Sequence, residues 1–113
     1  LYQQGQRGEA YRMAGRALEI DSSYGPALYI RALVVAGTVN SGTLRGRMAY
    51  WCVADLFSRA AAAGGSTADQ ARRLAGRYAA SGPSREQYFF EGYRAGQSVT
   101  TSHGYGSCTT TVR

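Results

Sequence analysis

Apolar residues recur every three or four positions along the first eighty residues of the chain, which is the spacing of amphipathic helices. Polar or glycine-rich breaks interrupt the pattern after Asp21, Ala36 and Ala63, and a Ser-Gly-Pro stop ends it at 81–83. The pattern therefore predicts a mainly α fold with helices at about 4–21, 24–36, 43–63 and 67–80. A long insertion near 37–46, GTVNSGTLRG, separates the second helix from the third.

A short aromatic segment, SREQYFFEGYRAG, follows that stop. It predicts a final helix that begins at Ser84, a good N-cap residue, and ends near Gly92. Its rings are too apolar to be left in water, and the end of a helix stack has no neighbour to bury its face. We therefore expect four aromatic residues to close that end: Tyr88, Phe89, Phe90 and Tyr93.

The last segment has the alternation of a β-hairpin. GQSVTTS and SCTTTV flank the glycine-rich turn HGYG, with Val99 and Thr101 on one arm and Cys108, Thr110 and Val112 on the other. Two isolated strands are marginal in water, so the hairpin is expected to lean on the helices and to cap the last of them.

Length and charge restrict the number of domains and the possible functions. A chain of 113 residues fits one compact domain, with the helices in 1–82 and the aromatic helix and hairpin in 83–113. The net charge is +6, and all thirteen basic residues are arginine. Only Arg72, Arg73 and Arg77 form a tight group, and this scatter disfavours a nucleic-acid stripe. A basic domain that binds nucleic acid or another polyanion is therefore kept as the alternative function.

No run approaches the ~18 apolar residues of a membrane span, and this stretch contains no signal peptide. The chain opens at Leu1 in polar, helix-compatible sequence, which predicts a piece of a longer protein.

Catalytic chemistry has one weak candidate. A Cys–His nucleophile needs an imidazole next to sulfur and a group that orients the ring, and no carboxylate follows Gln97 to orient His103 next to Cys108. We therefore predict no catalytic residues and no enzyme activity. A cysteine-dependent hydrolase is the less favoured alternative. Two cysteines are too few for a zinc site, so no metal or other cofactor is expected.

Cys52 lies in the third helix and Cys108 on the second hairpin arm, so a disulfide could join them. Two separately buried thiols are the favoured alternative, because cysteine is often simply buried. The predicted core and its terminal plug consist of aromatic residues: Tyr50, Trp51, Phe57, Tyr78, Phe89 and Phe90.

Two stretches resemble tetratricopeptide repeats (TPRs). Ala10, Ala14 and Ala17-Leu18 before Asp21 are similar to the second helix of one repeat, and Phe57 and Ala60 stand at equivalent places in the next copy. After the GGST turn, Ala71, Leu74, Ala75 and Tyr78 occupy positions 4, 7, 8 and 11 of a TPR first helix. Ala17 and Ala60 are 43 residues apart, against the ~34 of a regular TPR. The 37–46 insertion accounts for the excess.

The chain as a whole resembles the C-terminal part of a group of TPR-containing proteins from Bacteroidetes. AYWCVADLFSRA, PSREQYFFEGYRAGQSVT and the terminal TTTVR carry this resemblance, while HGYGSC stands where the relatives' turn often has a tryptophan. The resemblance implies an antiparallel helix-pair solenoid and an exported parent, periplasmic or bound to the cell envelope.

The TPR resemblance also implies a partner-binding groove. Carried over by register, its residues are Tyr29 and Leu33 in the earlier repeat and Asp69 and Arg72 in the later one. An aromatic and an arginine suit an extended or acidic peptide. The expected function is a non-enzymatic protein-interaction or scaffold module, and the open N-terminal end of the stack could also pair with a second copy.

Overall fold

A computed structural model describes residues 4–113, with side chains from residue 6 onward. In that range the fold is mainly α with a small antiparallel hairpin at the C-terminal end, as the pattern predicted. The helices are α1 (Gln4–Ile20), α2 (Gly25–Ala36), α3 (Leu44–Ala63), α4 (Ala68–Ala79) and α5 (Arg85–Phe90), and the strands are β1 (Ser98–His103) and β2 (Gly106–Thr111).

Local chemistry sets the helix ends. Thr43 starts α3 by accepting a hydrogen bond from the Gly46 N–H at 2.9 Å. Ser84 and Gln87 form a reciprocal capping box at the start of α5. Gly64 ends α3 with φ +81°, a conformation that favours glycine.

From α1 to α4, consecutive helices pack against each other, and α2 also touches α4. Their shared core consists of small side chains around one ring, which lets the helix backbones approach closely: Ala32, Val35, Val53, Phe57, Ala60 and Ala71. Tyr78 stacks on Phe57 with ring centroids 5.6 Å apart, and Tyr29 meets the same ring edge-on at 5.7 Å.

A second core joins α3 to the C-terminal third of the chain. It consists of Met48, Trp51, Tyr88, Val99 and Val112. Trp51 meets Tyr88 of α5 edge-on at 6.1 Å. The indole also lies so close to Gly82 that a Cβ there would be 2.2 Å from Nε1, so this position requires glycine.

The aromatic plug was only partly predicted. Trp51, Phe57 and Tyr88 are buried, and Tyr50, Tyr78 and Tyr93 are half-buried. Phe89 and Phe90 are 68% and 88% exposed, so the prediction that they close the stack is wrong. The helix α5 has only six residues, and Tyr88 alone turns toward Trp51.

The hairpin lies along α3, whereas the sequence placed it over the last helices. Val99, Thr101, Thr110 and Val112 are buried, as the alternation predicted. The hydroxyl of Thr110 donates to Asp55 of α3, and Arg113 pairs with the same carboxylate. The turn between the strands points toward the N-terminal helices, since Tyr105 of the turn stacks on Tyr11 of α1.

Candidate anion-binding groove

The four residues carried over from the TPR resemblance lie in two places. Tyr29 and Leu33 pack against the core under α2, α3 and α4. Asp69 and Arg72 are exposed on α4 and pair with each other at 2.9 Å, one turn apart. The shallow groove that Arg72 lines is otherwise formed by Ser58, Ala61, Ala62 and Ala75 of α3 and α4.

A larger groove lies between α1 and α2 and has a volume of about 560 Å³. Three of its lining residues are arginines and one is acidic: the lining is Tyr11, Arg12, Gly15, Arg16, Leu18, Glu19 and Arg31. We call it the arginine groove. Its charge is therefore net positive by two.

Arg31 crosses from α2 to α1 to reach this groove. Its guanidinium carbon lies 4.3 Å from the centroid of the Tyr11 ring, a cation–π contact. The crossing depends on Gly15, since a Cβ there would come within 2.6 Å of Nη2 of Arg31. The Arg31 Nε atom is buried without a hydrogen-bond partner in the part of the chain that the structure describes. The Tyr11 ring therefore holds the guanidinium of Arg31 in place, while its Nε–H donor remains unused.

The hairpin turn supports the same tyrosine. Tyr105 stacks on Tyr11 with ring centroids 4.3 Å apart and planes at 12°. Because two groups at this distance cannot share one face of a ring, Tyr11 lies between Tyr105 and Arg31. The Gly104 N–H donates to Thr38 Oγ1 at 3.0 Å, which fixes the turn against the loop after α2.

His103 stabilises the turn from within the hairpin. Its Nδ1 accepts a hydrogen bond from the Tyr105 N–H at 3.0 Å. Partial burial lowers the pKa of His103 from its usual value of 6.5, because desolvation disfavours the imidazolium. The neutral ring can serve as this acceptor.

Arg12 and Arg16 stand one helical turn apart on α1, and both are exposed. Neither side chain has a hydrogen bond or an ion pair within residues 6–113. Guanidinium groups bind carboxylate and phosphate oxygens through paired N–H donors. The arrangement therefore suits an anionic group held between α1 and the oriented Arg31.

Sequence reasoning missed this groove because its arginines come from two helices. The spacing of Arg12 and Arg16 and the small Gly15 between them were available as signals for one face of α1. The approach of Arg31 to this face could not be predicted from the sequence, because it depends on how α2 packs against α1.

The two cysteines are joined in a disulfide, with Cα atoms 6.4 Å apart. The sequence favoured two separate thiols instead. The bridge ties β2 to α3 across a sequence separation of 56 residues. It also removes Cys108 as a thiol partner for His103, whose Nδ1 is engaged by the turn.

In the described range, 4–113, the structure contains no group of three or more His, Cys, Asp or Glu side chains that could hold a metal ion. None of the helices described there has the length and apolarity needed to span a membrane.

No family model matches the chain, and neither curated proteins nor solved structures yield a significant match. The similarity to TPR proteins and to the Bacteroidetes group therefore stays a prediction from the sequence.

Proposed function

We propose that this protein is a non-enzymatic interaction module that binds an acidic segment of a partner protein in the arginine groove. The observation that carries the proposal is Arg31, which is oriented on Tyr11 and keeps a buried Nε without a partner among the described residues. A carboxylate in the groove would pair with Arg12, Arg16 and the terminal nitrogens of Arg31.

The lining favours a peptide over a nucleic acid. Leu18 gives the groove an apolar portion, which suits a peptide side chain better than a phosphate backbone. A polyanion binder would instead draw on arginines across the surface and lose affinity steeply with salt.

The proposal moves the binding surface that the resemblance implied. A TPR-like solenoid is supported by the packing of consecutive helices and by the contact of α2 with α4. The residues suited to an acidic peptide, however, are Arg12 and Arg16 of α1 and Arg31 of α2. Tyr29 and Arg72 are not among them.

An exported parent protein is part of the same proposal. The Cys52–Cys108 bridge supports it, because disulfides persist in oxidising compartments such as the periplasm and the cell surface. The sequence resemblance points in the same direction.

The test uses a fluorescein-labelled octapeptide of alternating glutamate and glycine, with fluorescence anisotropy as the readout. One variant replaces Arg12, Arg16 and Arg31 with glutamine, and its matched control replaces Arg72, Arg73 and Arg77 with glutamine. Each changes the net charge from +6 to +3. We expect the first to raise the dissociation constant at least about thirty-fold, since charge-assisted hydrogen bonds are worth about 1.5–3 kcal/mol each, and the control to change it less than about three-fold.

Circular dichroism and thermal unfolding check that both variants keep the fold. Equal losses in the two variants would contradict the groove and favour general binding of polyanions. Wild-type protein that does not bind the octapeptide at all would overturn the proposed function.

A further inference from the structure

The hairpin leaves one strand edge open, and its register identifies which backbone groups face outward. Val112 N–H donates to Gln97 O at 2.8 Å, and Gly96 N–H donates to Val112 O at 2.7 Å. With Gly96 at φ +88°, this is a β-bulge that places glycine at its first position. Counting by twos from it, Val99 pairs with Thr110 and Thr101 with Cys108 through the ladder.

The pairs between them, Ser98 with Thr111, Thr100 with Thr109 and Ser102 with Ser107, therefore turn their backbone N–H and C=O groups away from the partner strand. On β2 the outward N–H groups belong to Ser107, Thr109 and Thr111, and all three residues are exposed. No acceptor for these three N–H groups is found among the residues that the structure describes.

The two edges of the hairpin differ. On β1, the outward carbonyl of Thr100 accepts a hydrogen bond from Nη2 of Arg45 at 3.0 Å, and Nη1 of Arg45 also reaches the Tyr93 hydroxyl. Arg45 thus covers the middle of the β1 edge. No comparable contact covers β2 within the part of the chain that the structure describes, and the six residues of β2 include no charge and no proline, which are the usual protections of an edge strand.

The open edge is also rigidly placed. The disulfide at Cys108 and the hydrogen bond from Thr110 to Asp55 fix β2 on α3 at two neighbouring inward positions. An incoming strand would therefore meet donors that are already aligned, which lowers the entropic cost of pairing.

We propose that the outer edge of β2, a strand without charged residues, binds an extended, uncharged segment of a partner protein, which adds as a third strand. Main-chain hydrogen bonds to Ser107, Thr109 and Thr111 provide the contact, as in other cases of strand addition. A second copy of this chain is disfavoured as the occupant, because each copy brings a net charge of +6. This surface is distinct from the arginine groove and does not rest on the function proposed for it.

The test measures amide hydrogen exchange by NMR on the full chain, with and without the acetylated and amidated hexapeptide STVTVT. This neutral peptide has no charge to attract it to the arginine groove. We expect exchange at the three outward amides of β2 to slow at least about ten-fold at millimolar peptide, while the β1 amides of Ser98, Thr100 and Ser102 keep their rates. A peptide of the same sequence with N-methylated valines should give no protection.

A matched pair of variants adds an independent check. Thr109→Pro removes an outward donor from β2 without removing a ladder bond, and Thr100→Pro does the same on the opposite strand. We expect the first to abolish the peptide effect on β2 and the second to leave it intact.

Three results would overturn the proposal. One is unchanged exchange in wild-type protein at saturating solubility of the peptide, which does not depend on any variant folding. Another is protection confined to β1. The third is concentration-dependent protection of β2 without peptide, which would mean that copies of the chain pair with themselves. None of these results bears on binding of the glutamate octapeptide.

Discussion

Two groups of arginines in this protein look alike in charge and differ in structure. Arg72, Arg73 and Arg77 are close in sequence and all lie exposed on α4. Arg72 pairs with Asp69, and Arg73 hydrogen-bonds to Gln70, so these side chains contact their own helix. Exposed pairs of this kind contribute about 0–1 kcal/mol.

The arginines of the groove come from two different helices and converge in space. Arg31 reaches across from α2 and rests on Tyr11, while Arg12 and Arg16 stand on the neighbouring helix. The comparison teaches that density of charge along the chain did not locate the candidate site. A fixed guanidinium with unused donors did.

Two glycine substitutions, one in α1 and one in α4, test the difference between the two arginine groups most directly. Gly15→Ala puts a Cβ where Arg31 now lies, whereas at Gly76 of α4 nothing lies within 4 Å of the added atom. We expect Gly15→Ala to weaken binding of the glutamate octapeptide about ten-fold, because losing one charge-assisted contact costs about 1.5 kcal/mol or more.

Gly76→Ala serves as the control. It should leave affinity unchanged and raise the free energy of unfolding by about 0.5–1 kcal/mol, as expected for alanine in a helix interior. Anisotropy and urea unfolding measure both quantities. Unaltered octapeptide binding by Gly15→Ala would show that the crossing of Arg31 is not needed.

A smaller effect on octapeptide affinity is expected from removing Tyr105, whose ring supports Tyr11. Tyr105→Ala removes a stacked partner, and aromatic pairs of this kind are worth about 0.5–1.5 kcal/mol. We expect octapeptide affinity to fall about three-fold, measured by anisotropy. Tyr24→Ala, which removes a 48% exposed tyrosine at the start of α2, should not change it. Similar losses in both variants would mean that Tyr105 does not orient the groove.

The smallest expected effect is a pH dependence of stability at the turn. The pKa of His103 is lowered in the folded state by partial burial, so near pH 7.5 the imidazole is neutral in both states and contributes no difference. As the pH falls below 6.5, the unfolded chain takes up a proton that the folded chain resists, and stability decreases.

Thermal unfolding at pH 7.5 and pH 5.5 measures this effect. The drop in melting temperature between these pH values should be larger in wild-type protein than in His103→Gln. Identical drops would argue against a contribution from His103.

The sequence by itself determined the helices, the hairpin and the buried face of each strand. Their periods are local: apolar spacing of three or four predicted α1 to α4, and the alternation of Val99, Thr101, Thr110 and Val112 predicted which side of the hairpin is buried. Breaks at glycine and proline set the ends to within a few residues.

Only the tertiary structure decided what each element packs against. Phe89 and Phe90 have the composition of core residues, yet α5 is short and turns Tyr88 alone toward Trp51. The bridge between Cys52 and Cys108, the stack of Tyr105 on Tyr11 and the crossing of Arg31 over Gly15 each join residues distant in the chain. Such contacts depend on helix orientation and on which side of α3 the hairpin occupies, and a local pattern contains neither.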